Sequence, residues 1–243
     1  MFKYLSSFLI LFIFISCSEG VDKEDKSSFL IKPNFNSLQS RYDCILSDNK
    51  SLNNLEAFIP SFVDNVSNLI PSATLEFLFD QDTNIDNFSI LYRDKPENFN
   101  ISTLNKVLDE EGIDKIASCQ QSESVMLSSD IYIDNVPVDF SSFEVELLNC
   151  KFNEGFNYGT FAIEIDTFLN LIRKKDVKYF AKFQQINNTS NNFTWVNYLG
   201  SDADKVKLYE GWLDEEDSII IQEAFNTQSL CESSSSYKGY KVL

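Results

Sequence analysis

Two cysteines, Cys44 and Cys150, stand 106 residues apart, and the chain after each repeats one pattern. Leu55, Ile59, Phe62, Val63 and Val66 follow the first at 11, 15, 18, 19 and 22 residues; Phe161, Ile165, Phe168, Leu169 and Ile172 follow the second at the same distances. That spacing places one apolar face along a helix. A strand-like run comes next, Ala73–Phe79 in one copy and Tyr179–Phe183 in the other. Polar loops then lead to Asn87-Phe88-Ser89-Ile90-Leu91-Tyr92 and to Asn192-Phe193-Thr194-Trp195-Val196-Asn197. Each copy continues with a second helix, a second cysteine (Cys119 or Cys231) and a closing strand, Val125–Ile133 or Tyr237–Leu243. Such a chain folds as two similar units or as one body built from both.

Each copy reads β-α-β-β-α-β, with Gln39–Leu46 or Phe143–Phe152 as its first strand. Pro60 falls inside the first helix of copy one, where it costs a hydrogen bond. The turn-rich Asn187–Asn192 joins the central hairpin of copy two, and Ser201-Asp202-Ala203-Asp204 caps its second helix. That helix breaks near Asp214–Asp217, a solvated acidic run. This order of elements is the ferredoxin-like split βαβ motif, whose sheet carries helices on one face and leaves the other bare. Two such sheets in one chain can cover each other or close into a barrel. Dense runs such as Phe77-Leu78-Phe79 and Ile90-Leu91-Tyr92 suit strands buried on both faces.

From Gln39 to Leu243, the element order and the Phe193–Asn197 strand resemble the dimeric α/β-barrel superfamily. That superfamily includes antibiotic-biosynthesis-type monooxygenases, stress-responsive A/B-barrel proteins and NIPSNAP-like proteins. The expected fold is α+β: two ferredoxin-like βαββαβ repeats, residues 37–135 and 136–243, with antiparallel sheets packed face to face as a pseudo-dimeric α/β barrel.

The N-terminus reads as an address. Lys3 precedes the apolar stretch Tyr4–Ile15, which as a helix covers only about 18 Å against the roughly 30 Å of a bilayer core. A secretory signal over residues 1–16 is therefore expected, rather than a membrane span. Phe14-Ile15-Ser16-Cys17 resembles the lipobox of bacterial lipoproteins, with Phe14 where leucine is usual. The resemblance implies cleavage before Cys17 and acylation of its sulfur. Residues 17–36 then form the lipidated N-terminus and a polar tether. The expected location is the cell envelope, lipid-anchored, at the outer membrane or on the periplasmic side.

Four cysteines remain after Cys17, and in an exported protein they read as disulfides, with three connectivities open. In the resembled fold the first and fourth strands are antiparallel neighbours. That implies Cys44–Cys119 and Cys150–Cys231, each closing a loop of about 75–80 residues worth about 4 kcal/mol.

Charge and composition narrow the chemistry. With 37 acidic and 20 basic residues the net charge is −17, which works against phosphate contacts, so no nucleic-acid partner is expected. The chain has no histidine, which removes Ser-His-Asp and Cys-His catalysis, His-ligated zinc and His-ligated haem. Asp80-x-Asp82-x-Asn84 opens like a calcium loop, but Ile85 and Leu91 occupy the positions that need glycine and glutamate. What remains is an aromatic set: Tyr179, Trp195, Tyr198, Tyr209 and Trp212. Alternation puts Phe193, Trp195 and Asn197 on one strand face and Thr194, Val196 and Tyr198 on the other. The superfamily resemblance implies a small-ligand cleft between sheet and helices. The candidate ligand residues are Tyr179, Trp195, Asn197 and Trp212, with Asn197 as polar anchor. No catalytic residue, metal ligand or cofactor is expected. The expected role is non-catalytic binding of a small apolar ligand or an envelope protein. The alternative is a cofactor-free, monooxygenase-like enzyme using the same cleft.

Overall fold

Strand pairing runs around the whole chain and returns to where it began. A computed structural model describes residues 31–81, 86–122, 124–135, 137–214 and 216–243. The signal segment, Cys17, most of the tether, and Asp82 and Asn84 lie outside the described residues. The elements of the first half are β1 (Ser37–Leu46), α1 (Leu52–Leu69), β2 (Thr74–Asp80), β3 (Asn87–Asp94), α2 (Ile101–Glu111), β4 (Ala117–Gln121) and β5 (Met126–Tyr132). The second half follows with β6 (Ser142–Phe152), α3 (Tyr158–Arg173), β7 (Tyr179–Gln185), β8 (Asn192–Leu199), α4 (Asp202–Asp214), α5 (Glu216–Gln228) and β9 (Ser229–Lys241).

The pairing order is β3-β2-β9-β6-β8-β7-β5-β1, and β1 pairs again with β3, so eight antiparallel strands form a closed barrel. β4 shares the outer edge of β1 with β5: it pairs residues 42–46, and β5 pairs residues 37–39. This overturns the expectation of two ferredoxin-like repeats whose separate sheets stack face to face. The halves meet edge to edge instead, β5 on β7 and β2 on β9, in one continuous hydrogen-bonded ring. The physical reason lies in the backbone. Each half alone would end in strand edges with unpaired N–H and C=O groups, and lateral pairing with the other half satisfies both edges. In the second half the closing strand β9 begins at Ser229 rather than Tyr237, so Cys231 lies inside it; in the first half β5 falls where the closing strand is expected, and Cys119 lies in an additional short strand, β4, ahead of it.

The helices form because their termini are satisfied and one face is apolar. Asn100 caps α2 by accepting the Thr103 amide, and Gly112 ends that helix at φ 77°, a left-handed turn that glycine adopts without strain. Asn157 caps α3 by accepting the Gly159 and Thr160 amides. α1 runs unbroken past Pro60, which sits on its exposed side. Leu55, Phe62 and Val66 of α1 pack with Leu104 of α2 against Leu75 and Phe77 of the sheet. Phe161, Ile165 and Phe168 of α3 pack against Phe183, Phe193 and Trp195. A third cluster fills the barrel lumen: Leu78, Leu91, Phe143, Val145, Val196 and Tyr198. Gly239 admits the Phe143 ring there, since a Cβ at that position would lie 2.0 Å from Phe143 Cε2.

The lumen also holds charge. Lys182 Nζ lies 3.2 Å from Glu76 Oε1 and donates to the Tyr198 hydroxyl at 2.7 Å, which in turn donates to Glu76 Oε2 at 2.9 Å. Glu76 and Lys182 are 106 residues apart, the same interval that separates Cys44 from Cys150. Beside them, Arg93 Nη1 lies 2.7 Å from Asp130. Burial, with Arg93 nearby, pulls the Lys182 ammonium down to about 8. Burial pushes the Glu76 carboxyl up, but Lys182 and Arg93 outweigh it and hold the group below its ordinary value. Disulfides join Cys44 to Cys119 and Cys150 to Cys231, each pair directly opposite in its strand register.

Candidate functional site

On the outer face of the second half, a cleft of about 350 Å³ opens between β6, β8 and the three helices α3, α4 and α5. Its floor comes from the strands: Glu146 and Leu148 of β6, Trp195 and Asn197 of β8. Its walls come from Phe161 and Phe168 of α3, Leu208, Tyr209 and Trp212 of α4, and Gln222 and Phe225 of α5. The Cys150–Cys231 disulfide closes one side. Two short helices where the first half has one make the difference in shape. Neither α4 nor α5 segregates its apolar residues cleanly. Val206, Ile219 and Ile220 face outward, whereas Leu208 and Ile221 are buried. The Gln222 side chain donates to the Trp212 carbonyl at 2.6 Å and ties the two helices together.

The polar floor is a chain of hydrogen bonds with one end open. Asn197 Oδ1 accepts from the Tyr179 hydroxyl at 2.8 Å and from Trp195 Nε1 at 2.7 Å. Two donors on that atom identify it as the oxygen and fix the orientation of the amide. Its nitrogen therefore faces Glu146, the residue directly opposite in the β6–β8 register, and donates to Glu146 Oε2 at 3.1 Å. The Tyr209 hydroxyl donates to the same oxygen. Among the described residues nothing engages Glu146 Oε1. Burial raises the Tyr179 phenol well above its usual value. Burial also raises Tyr209, with help from the Glu146 bond. Both phenols therefore stay protonated and act as donors at neutral pH.

The aromatic walls meet steeply. Phe168 and Trp212 lie 5.2 Å apart at 81°, Phe161 and Trp195 5.9 Å apart at 83°, and Phe168 and Phe225 6.0 Å apart at 74°. Trp195, Asn197 and Trp212 of the expected ligand set thus line one cleft together with Tyr209. Tyr179, 1 % exposed, stands behind the floor and acts only through Asn197. Tyr198 faces the lumen instead. The expected set omits Glu146, whose pairing with Asn197 becomes visible only once strand register is known. Among the described residues no group of three or more histidine, cysteine or carboxylate side chains could hold a metal ion. Nor is any helix among them long and apolar enough to cross a membrane.

No family model matches the chain, and no curated protein sequence matches it. Solved structures do. A candidate monooxygenase from Fusobacterium nucleatum subsp. nucleatum aligns with a TM-score of 0.57 at 7% identity, over 86% of this chain and 94% of that one. One from Lactobacillus acidophilus gives 0.54 at 10% identity, over 86% and 95%. A variant chlorite dismutase from Candidatus Nitrospira defluvii gives 0.52 at 7% identity, over 86% and 93%. These proteins share the barrel fold of this chain. At such identities the likeness is one of fold alone.

Proposed function

We propose that the cleft beneath α4 and α5 takes one small, largely apolar molecule, and that the protein acts on it as a monooxygenase-like enzyme without a bound cofactor. The observation that carries this reading is Glu146. One of its oxygens is held by Asn197 and Tyr209, the other has no partner among the described residues, and the residue lines an aromatic cleft. A proton acceptor works when its geometry is fixed by neighbours and its free atom reaches the bound molecule. The volume lies at the small end of ligand sites, about 300–1,000 Å³. The fold shared with candidate monooxygenases supports an enzyme over a simple carrier.

A second reading, capture without chemistry, draws support from the donors. The Tyr179 and Tyr209 hydroxyls and the Trp195 N–H are already engaged within the floor, leaving none of the three to stabilise a developing oxyanion. An oxygen electrode combined with tryptophan fluorescence separates the readings. A probe that binds and drives oxygen uptake, with uptake lost and binding kept in Glu146→Gln, supports the enzyme. Binding without uptake supports capture, and no binding by any small apolar probe removes the cleft from both.

We read residues 37–135 and 136–243 as copies of one unit, a view that the matching strand registers support. The chain is further proposed to be exported and acylated at Cys17, facing the cell envelope. Two disulfides are compatible with such an oxidising compartment. Metabolic labelling with a fatty acid, abolished by Cys17→Ser, is the expected result; unlabelled protein would overturn the anchor.

A further inference from the structure

We infer that the molecule held in the cleft is an organic cation, an amine or quaternary ammonium carrying apolar groups; this rests on the cleft reading above. Glu146 is the one charged side chain among the cleft's lining residues. Asp94 and Asp204 are buried with both oxygens engaged by neutral donors, and three other enclosed carboxylates have cations for partners. Glu76 is paired with Lys182, Asp130 with Arg93, and Glu144 with Lys238. Glu146 has only neutral partners, Asn197 and Tyr209, and no lysine or arginine reaches it among the described residues.

A neutral apolar occupant would strip water from Glu146 Oε1 and leave a carboxylate facing hydrocarbon, which is costly. An ammonium brings the missing counter-charge with it. The remaining walls suit the same ligand. Phe161, Phe168, Trp195, Trp212 and Phe225 all line the space, and aromatic rings attract cations. A net charge of −17 also favours the approach of cations from solution. A phenol would supply a donor to Oε1 but no charge.

The test uses benzyltrimethylammonium, its uncharged carbon isostere neopentylbenzene, and 2-naphthol, each titrated into the full mature chain by tryptophan fluorescence and calorimetry. The ammonium is expected to bind about tenfold or more tighter than the isostere, the ratio that a single unscreened charge pair supports. Glu146→Gln should erase that preference while the isostere binds as before, and Trp212→Leu should weaken the ammonium about fivefold. Raising the salt concentration on the unaltered protein provides a readout independent of any variant: affinity for the ammonium should fall while that for the isostere holds. Equal binding of ammonium and isostere overturns the inference, as does binding of 2-naphthol alone; both leave the cleft reading standing. Failure of all three probes to bind overturns the cleft reading and this inference together.

Discussion

The two helix-covered faces of the barrel are laid on matching strand registers, yet one is filled and the other is open. In the first half Tyr92 stands opposite Ser40, and Ile90 opposite Tyr42; in the second Asn197 stands opposite Glu146, and Trp195 opposite Leu148. Tyr92 is fully buried, stacks on Phe99 at 4.8 Å and 16°, and accepts the Asn100 amide at 2.9 Å. One large ring there occupies the space between strand and helix. Asn197 is far smaller, and the room it leaves lies beneath two helices rather than one. The difference shows how two positions decide whether such a face is filled: a smaller residue leaves volume, and its cross-strand neighbour supplies a carboxylate.

The comparison can be attacked where the halves touch. Lys182→Met strands Glu76 in the lumen and should cost about 3–5 kcal/mol in guanidinium unfolding. The double variant Glu76→Leu, Lys182→Met should recover most of that loss, and a double variant as weak as the single one would show that the lumen depends on the charges themselves. Next in size is Tyr92→Asn, which carves the second half's opening into the first. It should cost about 2–4 kcal/mol as a cavity substitution. It should create no affinity for ammonium probes, because Ser40 stands where Glu146 would be needed. The reverse change, Asn197→Tyr, overfills the cleft floor. It should cost about 1–3 kcal/mol and abolish probe binding. Retained binding would mean that probes sit elsewhere.

The smallest effect is one of pH. Lys182 holds its proton to about 8 when folded, against 10.5 ordinarily, so between these values the unfolded chain binds more protons. Stability attributable to Lys182 therefore rises with pH across that window, by at most about 1.4 kcal/mol per unit. The unfolding free energy of the wild type should rise relative to that of Lys182→Met from pH 8 to 10, widening the gap between them, and a constant or shrinking gap would contradict this.

Local periodicity made part of this molecule legible from its residues. Leu55, Phe62 and Val66, like Phe161, Ile165 and Phe168, mark helix faces because a helix repeats within a few residues. The alternation of Phe193 and Trp195 against Val196 and Tyr198 likewise separates the two faces of β8, helix side and lumen. Ring closure was not legible. The joins of β5 to β7 and β2 to β9 are made by backbone groups that every residue carries, and stacked sheets would bury the same apolar runs. Glu76 and Lys182 sit inside the runs Thr74–Asp80 and Tyr179–Gln185, where nothing local shows that each charge has the other for a partner. The site was half legible for a related reason. Trp195 and Asn197 stand out by type and share a face, whereas Glu146 gains meaning only from the residue across the ladder.

The pair at the centre of the lumen also bears on how such a chain can change over time. Glu76 and Lys182 occupy corresponding places in the two halves, and each is what the other requires. A molecule assembled from two identical first halves would set carboxylate against carboxylate there, and one from two second halves ammonium against ammonium, each with the desolvation penalty of an unpaired charge. The halves are therefore not interchangeable parts. Any substitution at one of these two positions is constrained by the residue at the other, whichever half it falls in.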